Sequence, residues 1–167
     1  MDYELMQNGI VKIGDKAPNF EATTTIGNIN LEDYKGKWII LFSYPGDFNA
    51  ICTKEIIEFT MESGIREDIL ILGLSIDSIN SHYAWINEIY QKTGIKVSFP
   101  LIADRSSAIG RKYGMISSNI NNCETTRNVY IIDKNLTIRA ILMYPPEIQR
   151  SVNEIFRIFE ELKALQK

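Results

Sequence analysis

Cysteine and histidine are scarce in this chain. Its 167 residues include two cysteines and one histidine. Two cysteines are too few for a disulfide framework, and in a reducing compartment a cysteine pair more often does redox or catalytic work. These residues are widely separated and fall short of a metal site. The single histidine, His82, also argues against a cysteine protease, because that mechanism needs a base paired with the nucleophile.

Long apolar runs, clustered positive charge and a targeting segment are also missing. Uninterrupted apolar stretches are far shorter than the about 20 residues of a membrane-spanning helix. Residues 1–4 lack the basic and apolar regions of a signal peptide, so we expect a cytoplasmic protein. The net charge is −3 and the basic residues are scattered. Nucleic acid and membrane surfaces are therefore not expected as partners.

Length and composition fit one domain over residues 1–167, because 45% of the residues are hydrophobic and can form a sizeable core. No glycine-rich loop of the P-loop or dinucleotide-binding type occurs. We therefore expect no bound nucleotide, flavin or other cofactor.

The apolar periodicity predicts a β-α-β half followed by a β-β-α half. The predicted elements are a strand at 38–44, a helix at 50–63, a strand at 69–76, helices at 80–93 and 106–113, a hairpin of strands at 128–132 and 137–143, and a last helix that starts at Pro145-Pro146 and carries Ile148 on its apolar face. Residues 13–37 alternate around glycine and proline, which predicts short strands forming a lid or an edge addition. This order is typical of an α/β thioredoxin-like fold, a mixed central β-sheet covered by helices, with an N-terminal β extension.

Cys52 follows a buried strand and a Pro-Gly-Asp turn, so the pattern places its sulfur in the first turn of a helix. Unpaired backbone N–H groups and the positive end of the helix dipole stabilise an anion there. Next to a cation, such a cysteine can have its pKa lowered from about 8.5 to roughly 3.5–7.5, and the thiolate is the nucleophile. The common alternative is a small buried core residue. The surrounding sequence favours the reactive thiolate.

Short motifs are spread over nearly the whole chain. In order they are GDKAPNF at 14–20, LEDYKGK at 31–37, YPGDF at 44–48, CTKE at 52–55, SIDS at 75–78, SHYAWIN at 81–87, RNVYIID at 127–133 and RSV at 150–152. These residues resemble the peroxiredoxins, the thiol-specific antioxidant and alkyl hydroperoxide reductase family. In that family a proline, three residues, a threonine or serine and two further residues precede the peroxidatic cysteine. Pro45 and Cys52 match this signature, whereas Asn49 stands where the hydroxyl residue is expected.

The resemblance implies roles for the neighbouring side chains. Pro45 would stiffen the loop that approaches the sulfur and shield it from water. Arg127 matches the family's active-site arginine and would stabilise the thiolate and the charge on the departing peroxide oxygen. Glu55 and Arg150 match a glutamate and an arginine that form a supporting ion pair. His82 falls in a motif that the family uses structurally, so no chemistry is expected of it.

The implied activity is a thiol-dependent peroxidase that reduces hydrogen peroxide and organic hydroperoxides through a sulfenic acid on Cys52. The implied reductant is an external thiol, either a thioredoxin-like protein or a low-molecular-weight thiol, and the implied assembly is a homodimer or higher homo-oligomer. No cysteine follows Cys123, whereas two-cysteine members carry their resolving cysteine in a C-terminal tail; the longer extension typical of one-cysteine members is also missing. Cys123, four residues before Arg127, is the internal candidate for the resolving thiol, and the alternative is a bystander cysteine.

Two other functions share parts of this pattern. A peroxide sensor or redox-linked holdase would use the same reactive Cys52 but would relay its oxidation to a partner instead of turning over. A thioredoxin-like disulfide oxidoreductase would carry a Cys-x-x-Cys pair, and the stretch from Asn49 to Cys52 has only one cysteine.

Overall fold

A computed structural model describes residues 11–116 and 124–166 of the chain. The strands are β1 (Glu21–Thr24), β2 (Gly27–Asn30), β3 (Trp38–Ser43), β4 (Ile69–Ser75), β5 (Leu101–Ala103), β6 (Arg127–Ile132) and β7 (Ile138–Tyr144). The helices are α1 (Ala50–Ser63), α2 (Ile79–Thr93), α3 (Ala108–Tyr113) and α4 (Val152–Leu165), and a 3₁₀ turn spans Leu31–Tyr34.

The strands form a seven-stranded mixed sheet in the order β2-β1-β5-β4-β3-β6-β7. Strand β3 pairs parallel with β4 and antiparallel with β6. The β1-β2 hairpin joins the sheet through Thr24, which lies opposite Ile102 of β5. The predicted thioredoxin-like fold is therefore confirmed, and residues 21–30 form an edge addition to its sheet.

Both faces of the sheet are covered by packed side chains. On one face, aromatic residues of β3, α1 and α4 form a cluster in which the rings of Phe42 and Phe59 stack with centroids 4.2 Å apart. On the other face, a second cluster includes Leu31, Ile39 and Tyr113. Burial of β3 on both faces explains why its sequence is an uninterrupted apolar run rather than an alternating one.

The antiparallel pairing of β3 and β6 brings two distant parts of the chain to one edge. Phe42, near the end of β3, lies opposite Val129. Arg127 at the start of β6 therefore lies beside the loop that leaves β3 and leads to Cys52. The register of these two strands is what positions the candidate site.

The structure adds one strand that the sequence did not predict and corrects the start of one predicted helix. Strand β5 was not predicted, because three residues are too few to show a periodicity. The last helix begins at Val152 rather than at Pro145-Pro146, and Ile148 lies outside it with 52% of its surface exposed. The reason is that the backbone N–H of Arg150 donates to Glu55 Oε2 at 2.9 Å, a bond that holds this segment as a loop.

Within residues 11–116 and 124–166, no helix has the length and apolarity required to cross a membrane. The same residues contain no group of three or more His, Cys, Asp or Glu side chains arranged to hold a metal ion.

Candidate active site

Cys52 lies in the first turn of α1 and is completely buried. The helix is capped by Asn49, whose Oδ1 accepts from the backbone N–H groups of Ile51 at 2.9 Å and Cys52 at 3.0 Å. Asparagine is among the preferred residues at this position because its short side chain satisfies N–H groups that have no partner within the helix. The sulfur is thus held at a fixed helix start.

The guanidinium of Arg127 contacts the sulfur, with its Nη1 3.2 Å from Cys52 Sγ. The same guanidinium donates from Nε to Pro146 O at 2.8 Å, from Nη1 to Glu55 Oε1 at 2.5 Å and from Nη2 towards Asn49 Oδ1 at 3.4 Å. Arg127 is fully buried. Because several partners fix its planar fork, the guanidinium is oriented before any substrate arrives.

Glu55 bridges two buried arginines. Its Oε2 accepts from Arg150 Nε at 2.7 Å, while its Oε1 pairs with Arg127. Arg150 also donates from Nη1 to the carbonyls of Ser43 at 2.7 Å and Asn128 at 3.0 Å, and thereby ties β3, β6 and the loop before α4 together. Two guanidinium groups and one carboxylate leave one net positive charge beside the thiol.

Burial raises the pKa of the Cys52 thiol above its ordinary value, and this is the largest influence on it. The backbone N–H of Gly46 lowers the pKa, as do the charge and hydrogen bond of Arg127, whereas the charge of Glu55 raises it. The predicted lowering of the pKa is therefore wrong for the enclosed sulfur. A water or peroxide molecule at the sulfur would remove part of the cost of burial and leave both donors in place.

The structure brings most of the predicted site residues together. Pro45 is buried in the turn between β3 and α1. Arg127, Glu55 and Asn49 surround the start of α1, and Arg150 lies behind Glu55. Cys123 lies outside the described residues. Beside that gap, Thr125 Oγ1 donates to the carbonyl of Tyr44, so the segment leading to Arg127 contacts the turn that precedes Cys52.

Sequence reasoning missed two parts of this site. The capping role of Asn49 could have been found, since an Asn before an apolar helix is a start signal. The second part is a set of hydrogen bonds that joins Asp47 to Tyr44, Ser81 and His82. Asp47 and His82 stand in quoted motifs, but their contact spans 35 residues and no local pattern reports it.

A thioredoxin-like sheet that sets one cysteine against a buried arginine and its carboxylate is the arrangement of a thiol-dependent oxidoreductase. The sequence profile of the AhpC/TSA family matches residues 13–141, and the chain belongs to that family. Its relatives are peroxiredoxins, which makes this chain a thiol-dependent peroxidase.

Two relatives show the extent of the likeness. The chain is 45% identical over 158 residues to peroxiredoxin 2 of Caldanaerobacter subterraneus subsp. tengcongensis, and the match covers 93% of this chain and 72% of the relative. It is 46% identical over 156 residues to peroxiredoxin 2 of Picrophilus torridus, with 92% of this chain and 77% of the relative covered.

Solved structures agree with the fold. A yeast mitochondrial 1-Cys peroxiredoxin superimposes with a TM-score of 0.86 at 33% identity, over 94% of this chain and 78% of the yeast chain. The reduced 2-Cys peroxiredoxin of Plasmodium vivax gives a TM-score of 0.82 at 28% identity, over 93% of this chain and 84% of the Plasmodium chain.

Proposed function

We propose that Cys52 reduces hydrogen peroxide and organic hydroperoxides by direct nucleophilic attack. The thiolate sulfur bonds to the terminal peroxide oxygen, the O–O bond breaks, and the departing oxygen takes a proton and leaves as water or an alcohol. Cys52 is left as a sulfenic acid, the first stage of cysteine oxidation. The observation that carries this proposal is the 3.2 Å contact between Arg127 Nη1 and Cys52 Sγ at the start of a helix.

Arg127 would stabilise negative charge in two successive places. In the resting site it favours the thiolate, and during attack its remaining Nη2 N–H favours the charge that develops on the leaving oxygen. Glu55 and Arg150 are proposed to act through Arg127, because Glu55 holds its Nη1 and Arg150 holds Glu55. Pro45 is proposed to stiffen the buried turn that approaches the sulfur.

Asn49 is proposed to combine two tasks that the usual hydroxyl residue would perform with different geometry. Its Oδ1 is engaged by the first-turn N–H groups of Ile51 and Cys52. Its amide Nδ2 is the end of the side chain that can donate to a peroxide oxygen, since an amide offers two N–H donors. The planar carboxamide fixes the angle between the Oδ1 atom that caps the helix and the Nδ2 atom that would donate to the peroxide.

Asn49→Thr is expected to equal or increase the rate of peroxide reduction. A threonine hydroxyl can cap the helix and donate to the peroxide from a shorter, rotatable group. Asn49→Ala is the matched variant: it should lower the unfolding free energy by about 0.5–2 kcal/mol through loss of the cap and should slow the reaction. Stopped-flow kinetics with hydrogen peroxide measure both rates. A large loss of rate in Asn49→Thr would show that the site is built around the amide.

The sulfenic acid must be returned to the thiol by a second thiol. The solved yeast relative has a thiol-resolving mechanism via glutathione/thioredoxin systems. We propose an external reductant for this chain as well, either a thioredoxin-like protein or a low-molecular-weight thiol. Because Cys52 is fully buried, any resolving thiol can reach its sulfur only when the first turn of α1 opens.

Cys123 is expected to remain a free thiol after the first step. A disulfide needs Cα atoms within about 7 Å, and the capped start of α1 would have to unwind for an internal partner. Mass spectrometry after one equivalent of peroxide should find oxidised Cys52 and unmodified Cys123, and Cys123→Ser should turn over with dithiothreitol as fast as the wild type. A Cys52–Cys123 disulfide within one chain would instead assign Cys123 as the resolving cysteine.

Sustained turnover tests the enzyme against the sensor. Peroxide consumption is followed with thioredoxin, glutathione or dithiothreitol in excess over the protein. Many equivalents of peroxide consumed per chain support the peroxidase. Consumption that stops after one equivalent with every reductant favours a sensor or holdase that uses the same Cys52.

A further inference from the structure

The hydroxyl of Ser43, the last residue of β3, is fully buried and makes hydrogen bonds in two directions. It donates to the carbonyl of Thr126 at 2.6 Å and accepts from the backbone N–H of Asn128 at 3.2 Å. Thr126 and Asn128 stand directly before and after Arg127. The carbonyl and the N–H therefore belong to the two peptide groups that meet at the Cα of Arg127, and one side chain holds both.

This bridge lies where the regular pairing of β3 with β6 has ended. The last paired residues are Phe42 and Val129. Past that pair, the hydroxyl of Ser43 connects the two strands in place of backbone hydrogen bonds. On its other edge, Arg127 pairs with Tyr144 of β7. The bridge from Ser43 thus holds the edge of β6 that faces the loop leaving β3, which is the loop that leads to the reactive cysteine.

The position of that backbone sets the reach of the Arg127 guanidinium. The side chain starts at the Cα between the two held peptide groups, and its Nη1 ends 3.2 Å from Cys52 Sγ. In a fully buried site the fork cannot swing through solvent to recover a lost contact. A misplacement of about 1 Å in a reacting site can cost about 10²-fold in rate. A fixed Cα is therefore a requirement for a fixed contact with the sulfur.

Other bonds hold the same segment and limit the share that belongs to the hydroxyl. Thr125 Oγ1 donates to the carbonyl of Tyr44. Arg150 Nη1 donates to the main-chain carbonyls of Ser43 at 2.7 Å and Asn128 at 3.0 Å. These bonds do not involve the hydroxyl of Ser43, so they persist when it is removed. Its removal should shift the start of β6 without detaching it.

We infer that Ser43 is a positioning residue for Arg127: its hydroxyl fixes the two peptide groups that meet at the Cα of Arg127 and thereby sets the distance from the guanidinium to Cys52 Sγ. The inference rests on the proposed function, because it takes Arg127 as the group that stabilises charge at Cys52.

Ser43→Ala tests the role, since it removes the hydroxyl and keeps the main-chain carbonyl that Arg150 contacts. A partial shift of the guanidinium is expected to slow the reaction with hydrogen peroxide about tenfold in stopped-flow kinetics. The Cys52 pKa should rise, because the charge and hydrogen bond of Arg127 lower it in the wild type. An unchanged rate together with an unchanged thiolate titration would overturn the inference and leave the proposed function intact.

A double-mutant cycle separates positioning from general damage to the fold. If Ser43 acts through Arg127, adding Ser43→Ala to Arg127→Ala should cause no further loss of rate, because residues that act as one unit are not additive. A further tenfold loss in the double variant would show that Ser43 acts elsewhere, and would overturn the inference. A wild-type rate in Arg127→Ala alone would instead count against the proposed function.

Thr24→Val is the matched control. The buried Thr24 hydroxyl also bridges two backbone groups: it donates to Gly27 O at 2.7 Å and accepts from the N–H of Ile26 at 3.1 Å, in a hairpin at the far side of the sheet. Its loss should leave the rate and the Cys52 titration at wild-type values. A loss of rate equal to that of Ser43→Ala would mean that any missing buried hydroxyl has this effect, and would overturn the inference.

If Ser43→Ala does not fold, Ser43→Cys decides. A thiol in the same place is a weaker donor and acceptor than a hydroxyl, so the reaction with peroxide should slow by about threefold. An unchanged rate in a folded Ser43→Cys protein would count against the positioning role.

Discussion

Cys52→Ser is expected to abolish peroxide reduction. A neutral hydroxyl is a far weaker nucleophile than a thiolate, and no other cysteine lies in the first turn of α1. The oxygen of serine fits the space of the sulfur and can accept from Arg127 Nη1, so the fold should persist. Peroxide consumption with excess dithiothreitol measures the loss, and thermal unfolding checks that the variant is folded.

Cys123→Ser is the matched control for that experiment, since it removes the other cysteine of the chain by the same exchange of atoms. It should retain the wild-type rate with dithiothreitol. Full activity in Cys52→Ser, or equal loss in the two variants, would contradict the assignment of Cys52 as the nucleophile.

Arg127→Ala is expected to slow the first step by about 10²–10³-fold, the usual loss when one donor to a developing negative charge is removed. Part of this loss comes from the resting site, because the Cys52 pKa should rise, and each unit corresponds to about 1.36 kcal/mol. Thiolate absorbance against pH measures that part. Stopped-flow kinetics at a pH where the thiolate is fully formed measure the rest of the rate loss. This part reports the missing stabilisation of the charge on the leaving oxygen.

Two other arginine variants separate the causes. Arg127→Lys keeps the charge but loses the planar fork. Compared with Arg127→Ala, it should restore the Cys52 pKa more fully than it restores the rate of peroxide reduction. Arg139→Ala removes a partly exposed arginine that lies 3.5 Å from Asp133 and has no contact with the site. Its rate and its Cys52 titration should match the wild type. An unchanged Cys52 titration in Arg127→Ala would count against the proposed role of Arg127.

Stability should report on the buried ion network. Breaking a buried pair by removing one partner costs about 3–5 kcal/mol when the other charge is left alone. In Arg127→Ala, Glu55 keeps its three hydrogen bonds with Arg150, so a loss below that range is expected. Glu55→Ala would instead leave two buried arginines facing each other and should unfold at much lower denaturant concentration than Arg127→Ala.

The sequence predicted the fold where a local pattern carries the information. The apolar run of β3 and the helical period of α1 indicate their elements without help from the rest of the chain. Strand β5 has only three residues and exists because it pairs with β1 and β4. The loop before α4 is held by the contact of Arg150 with Glu55, 95 residues away. Neither contact leaves a local signal.

As with the fold, only part of the site could be predicted from the sequence. Motifs shared with the peroxiredoxins identified Cys52 and Arg127, and the register of β3 and β6 gives the physical reason that they meet. The ionisation of Cys52 was not predictable, because helix position favours the thiolate while burial opposes it, and burial is a property of the folded chain. The cluster of Asp47 and His82 likewise depends on long-range packing.

Trapping the oxidised cysteine tests the proposed chemistry most directly. The reduced protein is mixed with one equivalent of hydrogen peroxide together with a reagent that captures sulfenic acids, and the modified residue is located by mass spectrometry. The trapped group should lie on Cys52, with one peroxide consumed per chain. Peroxide consumed with Cys52 unmodified, or Cys52 left reduced with the peroxide intact, would contradict a Cys52-based peroxidase.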